Sequence, residues 1–109
     1  MVDENLRALT EVDRFIHEPS RSVILAILVA TKKADFLYLQ RETGLTKGNL
    51  SIHLQKLEAA GYINVEKTYK NRKPLTICQI TPQGRQAFEE YRKQLKNFIE
   101  GTSSESLAR

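Results

Sequence analysis

Between Phe36 and Ile63 the chain carries a pattern that few folds can accommodate. Phe36, Leu37, Tyr38 and Leu39 belong to a short helical stretch that Asp35 can cap. Gly44 stops it where a left-handed residue commonly ends a helix. Thr46 is a fitting N-cap for a second helix, with Leu45 placed to pack inward just ahead of it. On that helix Leu50, Leu54 and Leu57 recur at i, i+4 and i+7, which fixes its buried side. At ~100° per residue the opposite side holds Gly48, Asn49, Ile52, Gln55 and Lys56, with Ser51 and His53 on the flanks. Gly61 ends the helix and leads into an alternating strand with Ile63 and Val65 on one side.

The rest of the chain builds around this unit. Tyr62 to Tyr69 and Leu75 to Ile80 read as two strands of a hairpin, with Lys70-Asn71-Arg72-Lys73 as its tip and Pro74 limiting the pairing there. Thr81 as N-cap and Pro82 at the first position open a last helix over 82–100, striped by Phe88, Tyr91, Leu95, Phe98 and Ile99. Ahead of the unit, Leu6, Leu9, Val12, Phe15 and Ile16 predict an amphipathic helix over 3–17. Pro19 then starts a helix to Thr31 that is apolar nearly all round and is expected to be the central core element. Lys32 to Asp35 reads as a polar break, and 102–109 as a flexible tail. With 109 residues there is room for one domain, expected over 1–101 with its central part at 19–81. The fold class expected is mainly α with a β-hairpin (α+β), flanked by N- and C-terminal helices that pair two copies.

Charge is concentrated where the outer face and the hairpin lie. Of 17 basic and 13 acidic residues, six and two fall between Lys47 and Lys73, while the eleven of each sign elsewhere cancel. The whole formal excess of +4 therefore sits on the second helix and the hairpin, an electrostatic footprint for nucleic acid. The longest apolar run, Val23 to Ala30, is too short to span a bilayer. The acidic opening Met1-Val2-Asp3-Glu4 is unlike a signal peptide, and a single cysteine, Cys78, fits a reducing compartment, so a cytoplasmic location is expected. No Gly-rich phosphate loop, metal-spaced Cys/His set or paired nucleophile and base is evident, so neither an enzyme nor a cofactor or metal is expected. His53 reads as a packed or phosphate-facing side chain, and Cys78 as a small core residue.

The succession Pro19-Ser20-Arg21, Asp35-Phe36, Leu45-Thr46-Lys47-Gly48-Asn49-Leu50-Ser51, Leu54-Gln55-Lys56-Leu57-Glu58-Ala59-Ala60-Gly61-Tyr62-Ile63, Arg72-Lys73-Pro74 and Thr81-Pro82-Gln83-Gly84-Arg85 resembles the winged-helix transcriptional regulators of the MarR/ArsR-like class. Within it, the short winged helix DNA-binding domain group is the nearest match. The resemblance covers about Pro19 to Tyr91. Its most specific parts are the Leu-x-x-Leu-Glu-x-x-Gly helix end and the Thr-Pro-x-Gly-Arg start of the last helix. It implies a homodimeric prokaryotic regulator whose second helix, about 47–60, enters the major groove while the wing, 67–74, touches the adjacent minor groove. By position, Asn49, Ser51, Ile52, Gln55 and Lys56 then face base edges or nearby phosphates, with Thr46 and Lys47 at the start of the same helix. Arg72 becomes the wing-tip residue, with Lys70 and Lys73 on phosphates. The Cys and His clusters of metal-sensing relatives are absent from the sequence.

The residue chemistry agrees with these roles. The amides of Asn49 and Gln55 can bind adenine bidentately, and Ile52 suits a thymine methyl group. Lys56 is a flexible point charge of the kind that contacts phosphate, and the planar fork of Arg72 suits a narrow minor groove. For the homodimer, the expected interface is Leu6, Leu9 and Ile16 with Tyr91, Leu95, Phe98 and Ile99, since the last helix is long for so small a domain. Two other readings stay open: a protein-interaction module that no longer reads DNA, and a regulator of the same design that responds to a small-molecule effector or, through Cys78, to redox state.

Overall fold

The computed structural model describes residues 7–102. A short 3-10 turn at Ala8–Glu11 is followed by helix α1 (Pro19–Thr31), strand β1 (Lys33–Asp35), helix α2 (Phe36–Thr43), helix α3 (Lys47–Ala59), strands β2 (Ile63–Lys70) and β3 (Lys73–Ile80), and helix α4 (Pro82–Gly101). The strands form one antiparallel sheet in the order β1-β3-β2.

Local chemistry starts every helix. Glu18, Asp35, Thr46 and Thr81 each accept, through the side chain, the backbone N–H three residues on. Such a cap satisfies a donor that the helix cannot, and contributes ~1 kcal/mol. Pro19 and Pro82 occupy first-turn positions where no N–H is needed. Gly44 ends α2 in the left-handed region at φ 71°, which aims the chain into α3. Around this frame the core collects Ile24, Leu25 and Leu28 from α1, Leu39 from α2, Leu50, Leu54 and Leu57 from α3, Ile63 and Cys78 from the sheet, and Phe88 from α4.

The Thr-Pro-x-Gly sequence locks α4 to the end of α3. Thr81 N–H donates to the Tyr62 carbonyl (3.0 Å), and its hydroxyl donates to the Gly61 carbonyl (2.7 Å). The first turn of α4 sits so close to this backbone that a Cβ on Gly84 would lie 2.1 Å from the Tyr62 oxygen. Only glycine fits there.

Four expectations change. The helix expected over 3–17 is not found: residues 3–6 lie outside the described ones, and the remainder is the 3-10 turn, an extended Val12 and a turn held by Asp13. The Asp13 carboxylate accepts from the N–H groups of Phe15 (2.9 Å) and Ile16 (3.2 Å), offering the backbone a local alternative to the helix. Lys33–Asp35 is a strand and not only a break, because it completes the sheet beside Ile77, Cys78 and Gln79. α1 is core on one side only: Val23 is 44% exposed and Ala26 and Ala30 are exposed, since a sheet and three helices this small cover one face. The hairpin ladder also runs past Pro74, through Tyr69↔Pro74 to Lys70↔Lys73. A two-residue turn makes Lys70 and Lys73 the bonded pair, so the next pair needs no N–H from Pro74. Of the expected tail, only Thr102 is described, capping α4.

Candidate nucleic-acid interface

α3 presents two unlike sides. Leu50, Leu54 and Leu57 are buried, while Lys47, Gly48, Asn49, Gln55 and Lys56 are exposed and Ser51 and His53 are half-buried. Ile52 stands 49% exposed amid these polar groups. Thr46 is exposed too, but its hydroxyl is engaged as the cap of α3, accepting from Asn49 N–H at 3.1 Å. Every residue of the expected reading face thus lies on the accessible surface of α3.

The helix is braced from behind. Arg21 on α1 lies 3.2 Å from His53 through Nη1 and Nδ1, and its Nε donates to the Phe15 carbonyl at 2.7 Å. Glu18 completes the group, 3.9 Å from Arg21 and 3.8 Å from His53. Burial works to raise the Glu18 pKa, but the N–H groups of Arg21 and Ser20 and the positive charge of His53 and Arg21 hold it below the ordinary 4.5. Sequence reasoning left Arg21 and Glu18 out of the site; a proline-started helix beside a histidine on another helix carries no signal of contact.

At the hairpin tip, Lys70 and Lys73 flank a two-residue turn in which Asn71 and Arg72 have φ of 53° and 66°. This is the type I′ geometry that matches strand twist and is filled most readily by Asn-Gly. Arg72 occupies the glycine place, and Lys70, Asn71, Arg72 and Lys73 are all exposed. Tyr69, which sequence reasoning passed over as one of four scattered tyrosines, is 74% exposed next to them. The wing is tied to α3 at its base, where Glu58 accepts Val65 N–H at 3.3 Å. Between helix and wing lies a cleft of ≈ 570 Å³, lined from the helix by Lys47, Ser51 and Gln55 and from the wing by Lys67 and Thr76. The two basic elements therefore flank one opening on one side of the molecule.

The residues expected at a dimer interface separate into two groups. Ile16 is fully buried, and Tyr91 is buried with its hydroxyl 2.9 Å from His17 Nδ1 and 3.3 Å from Ser22 Oγ. Both belong to the interior of a single chain, because the turn at Asp13 folds Ile16 inward against the start of α1. Leu9, Leu95 and Phe98 are half-buried and Ile99 is 64% exposed. Leu6 lies outside the described residues. Cys78 is wholly buried; burial, with a contribution from Glu58, pushes its thiol up to about 11, so it stays protonated and packs as a small apolar group. Among the described residues no cluster of His, Cys, Asp or Glu is arranged to hold a metal ion, and no helix is long and apolar enough to cross a membrane.

Two helices joined by a tight turn, followed by a basic two-stranded wing on a small antiparallel sheet, define a winged helix-turn-helix protein. The chain belongs to the winged helix DNA-binding domain family, whose model matches residues 21–99. It is similar to an uncharacterised protein of Methanocaldococcus jannaschii, 41% identical over 71 residues that make up 65% of this chain and 77% of the relative. It is similar in structure to a transcriptional regulator homologue from Pyrococcus horikoshii, with a TM-score of 0.82 and 31% identity over 87% of this chain and 96% of the other. A MarR-family transcriptional regulator from Silicibacter pomeroyi shares the fold at a TM-score of 0.60 and 21% identity, over 95% of this chain and 70% of its own.

Proposed function

We propose that the protein is a sequence-specific, homodimeric transcriptional regulator of the cytoplasm, with α3 in the major groove and the wing at the adjacent minor groove. The observation that carries this reading is the placement of the exposed polar face of α3 and the basic wing on the two walls of one cleft. Helices of this length fit the major groove, and a two-stranded tip carrying Arg72 fits the narrow neighbour. Similarity to regulators from other prokaryotes supports the same role. In a dimer, half-sites fall ~10–10.5 bp apart or at a multiple of that spacing. The pairing surface is the outer end of α4, where Leu95, Phe98 and Ile99 lack full cover, together with Leu9.

The test is fluorescence anisotropy of the purified protein with DNA from upstream of its own gene, beside scrambled duplex, over a series of salt concentrations. Tight binding that prefers the upstream DNA, with log affinity falling by ~0.9 per neutralised phosphate against log salt, supports the reading. Absence of binding at low salt abandons it in favour of a winged-helix protein-interaction module.

A further inference from the structure

An element lodged in the major groove and another at the next minor groove must straddle the strand that divides them. The cleft between α3 and the wing is the gap through which such a strand would pass. Its walls offer one ammonium each, Lys47 from the helix and Lys67 from the wing. Between the two lie the Ser51 and Thr76 hydroxyls and the Gln55 amide. Groups of this kind, from both sides, suit a phosphodiester. The floor is apolar, formed by Leu54, Val65 and Leu75, and suits the uncharged faces of deoxyribose. The one carboxylate among the lining groups, Glu58, is engaged by the Val65 N–H at 3.3 Å, which keeps it on the wing's backbone.

The lining also divides α3 into two working surfaces. Ser51 and Gln55 border the cleft, whereas Asn49, Ile52 and Lys56 do not. A side chain committed to a passing phosphate cannot also lie on a base edge. We propose that the cleft seats the sugar-phosphate backbone of one strand, that Lys67 and Thr76 are contacts additional to the wing tip, and that Ser51 and Gln55 position the duplex while Asn49 and Ile52 discriminate its bases. This assignment rests on the DNA-binding reading above and moves Gln55 from base recognition to positioning.

A preferred duplex is selected from a randomised pool. Its affinity and that of a scrambled duplex are then measured by anisotropy at several salt concentrations for the wild type, Lys67→Gln, Thr76→Val, Gln55→Ala and Asn49→Ala. Thermal melts of each variant separate folding defects from contact loss. Lys67→Gln is expected to weaken both duplexes by the same factor and to reduce the salt slope by ~0.9. Thr76→Val and Gln55→Ala are expected to weaken both equally, by about two- to tenfold. Asn49→Ala is expected to weaken the preferred duplex about fivefold or more and leave the scrambled one unchanged. Replacing phosphates singly by neutral methylphosphonate gives a second measure: at the seated phosphate the wild type loses affinity and Lys67→Gln loses nothing further.

An unchanged salt slope in Lys67→Gln, or a collapse of preference in Gln55→Ala, overturns the seat while leaving DNA binding in place. A wild type that binds neither duplex overturns the DNA-binding reading and the seat with it.

Discussion

Arg21 Nη1 and His53 Nδ1 stand 3.2 Å apart, joining the first helix to the reading helix across 32 residues of sequence. The same guanidinium donates to the Phe15 carbonyl and lies 4.5 Å over the Phe15 ring. One side chain therefore fixes the N-terminal segment, α1 and α3 relative to one another. Replacing it should leave several groups short of partners, so Arg21→Met is expected to lower the unfolding free energy by about 2 kcal/mol in urea titrations. Arg21→Lys should recover little, because an ammonium has no planar fork to serve partners in different directions. A loss well under ~1 kcal/mol for both variants would remove the bracing role.

Glu18 belongs to the same group, and its lowered pKa makes a statement about acid stability. The folded state prefers the ionised carboxylate, so its contribution is present above the ordinary value of 4.5 and is lost as pH falls through the lower folded value. Wild-type stability should decline below pH 4.5, and Glu18→Gln should flatten that part of the profile. Chemical unfolding from neutral pH downward measures both; parallel profiles for the two proteins would rule the linkage out.

Arg72 sits in the left-handed region at φ 66°, where glycine would be at ease. A non-glycine residue there costs about 1 kcal/mol, and nothing in the fold uses the Arg72 side chain among the described contacts. Arg72→Gly should therefore stabilise the hairpin by up to ~1 kcal/mol while weakening DNA binding. Opposite signs in a thermal melt and a binding titration would mark a residue kept for its charge. If binding is unaffected, the wing tip has no part in DNA contact.

Gly84 is held to its identity by a backbone that leaves no room, the Tyr62 oxygen lying 2.1 Å from where a Cβ would be. Gly84→Ala must push the first turn of α4 away from the end of α3, with a cost of ~2–3 kcal/mol or more. The intrinsic gain of alanine in a helix, ~1 kcal/mol, is too small to offset it. A melt in which the variant equals or exceeds the wild type would contradict the close approach.

The sequence was most legible where the deciding chemistry is local. Asp35, Thr46, Thr81 and Gly44 mark helix ends through bonds to neighbours three or four residues away, and each does so in the structure. The Leu50, Leu54 and Leu57 stripe names the buried side of α3 correctly for the same reason. Legibility fails where a distant partner decides. The stripe through Ile16 and Tyr91 shows that these faces are buried, but not that a single chain buries them. The apolar pattern of α1 likewise says nothing about how many sides the rest of the chain can cover. At the N-terminal segment a local competitor, Asp13, defeats a regular apolar period by taking two backbone donors. On α3 helical projection groups Gln55 with Asn49, and only the position of the wing distinguishes the two.

The outer end of α4 gives the last prediction. The helix has 20 residues, ~30 Å at 1.5 Å per residue, and the described chain extends 63 Å in its longest direction against 25 and 21 Å in the others. Near that end Ile99 is 64% exposed on an otherwise charged surface, with Leu95 and Phe98 only half-covered. If a second copy covers these side chains, Ile99→Asp should leave the isolated fold intact, because the residue takes no part in the core, and should abolish pairing by forcing a carboxylate into the joint. Sedimentation is expected to give a dimer for the wild type and a monomer for the variant. The wild-type melting temperature should rise with protein concentration, while that of the variant should not. On DNA the variant should bind a paired site no more tightly than a single half-site, since linkage between the two reading heads is lost. A wild type that sediments as a monomer across the concentration series would refute the paired arrangement and leave α4 as the cover of one core.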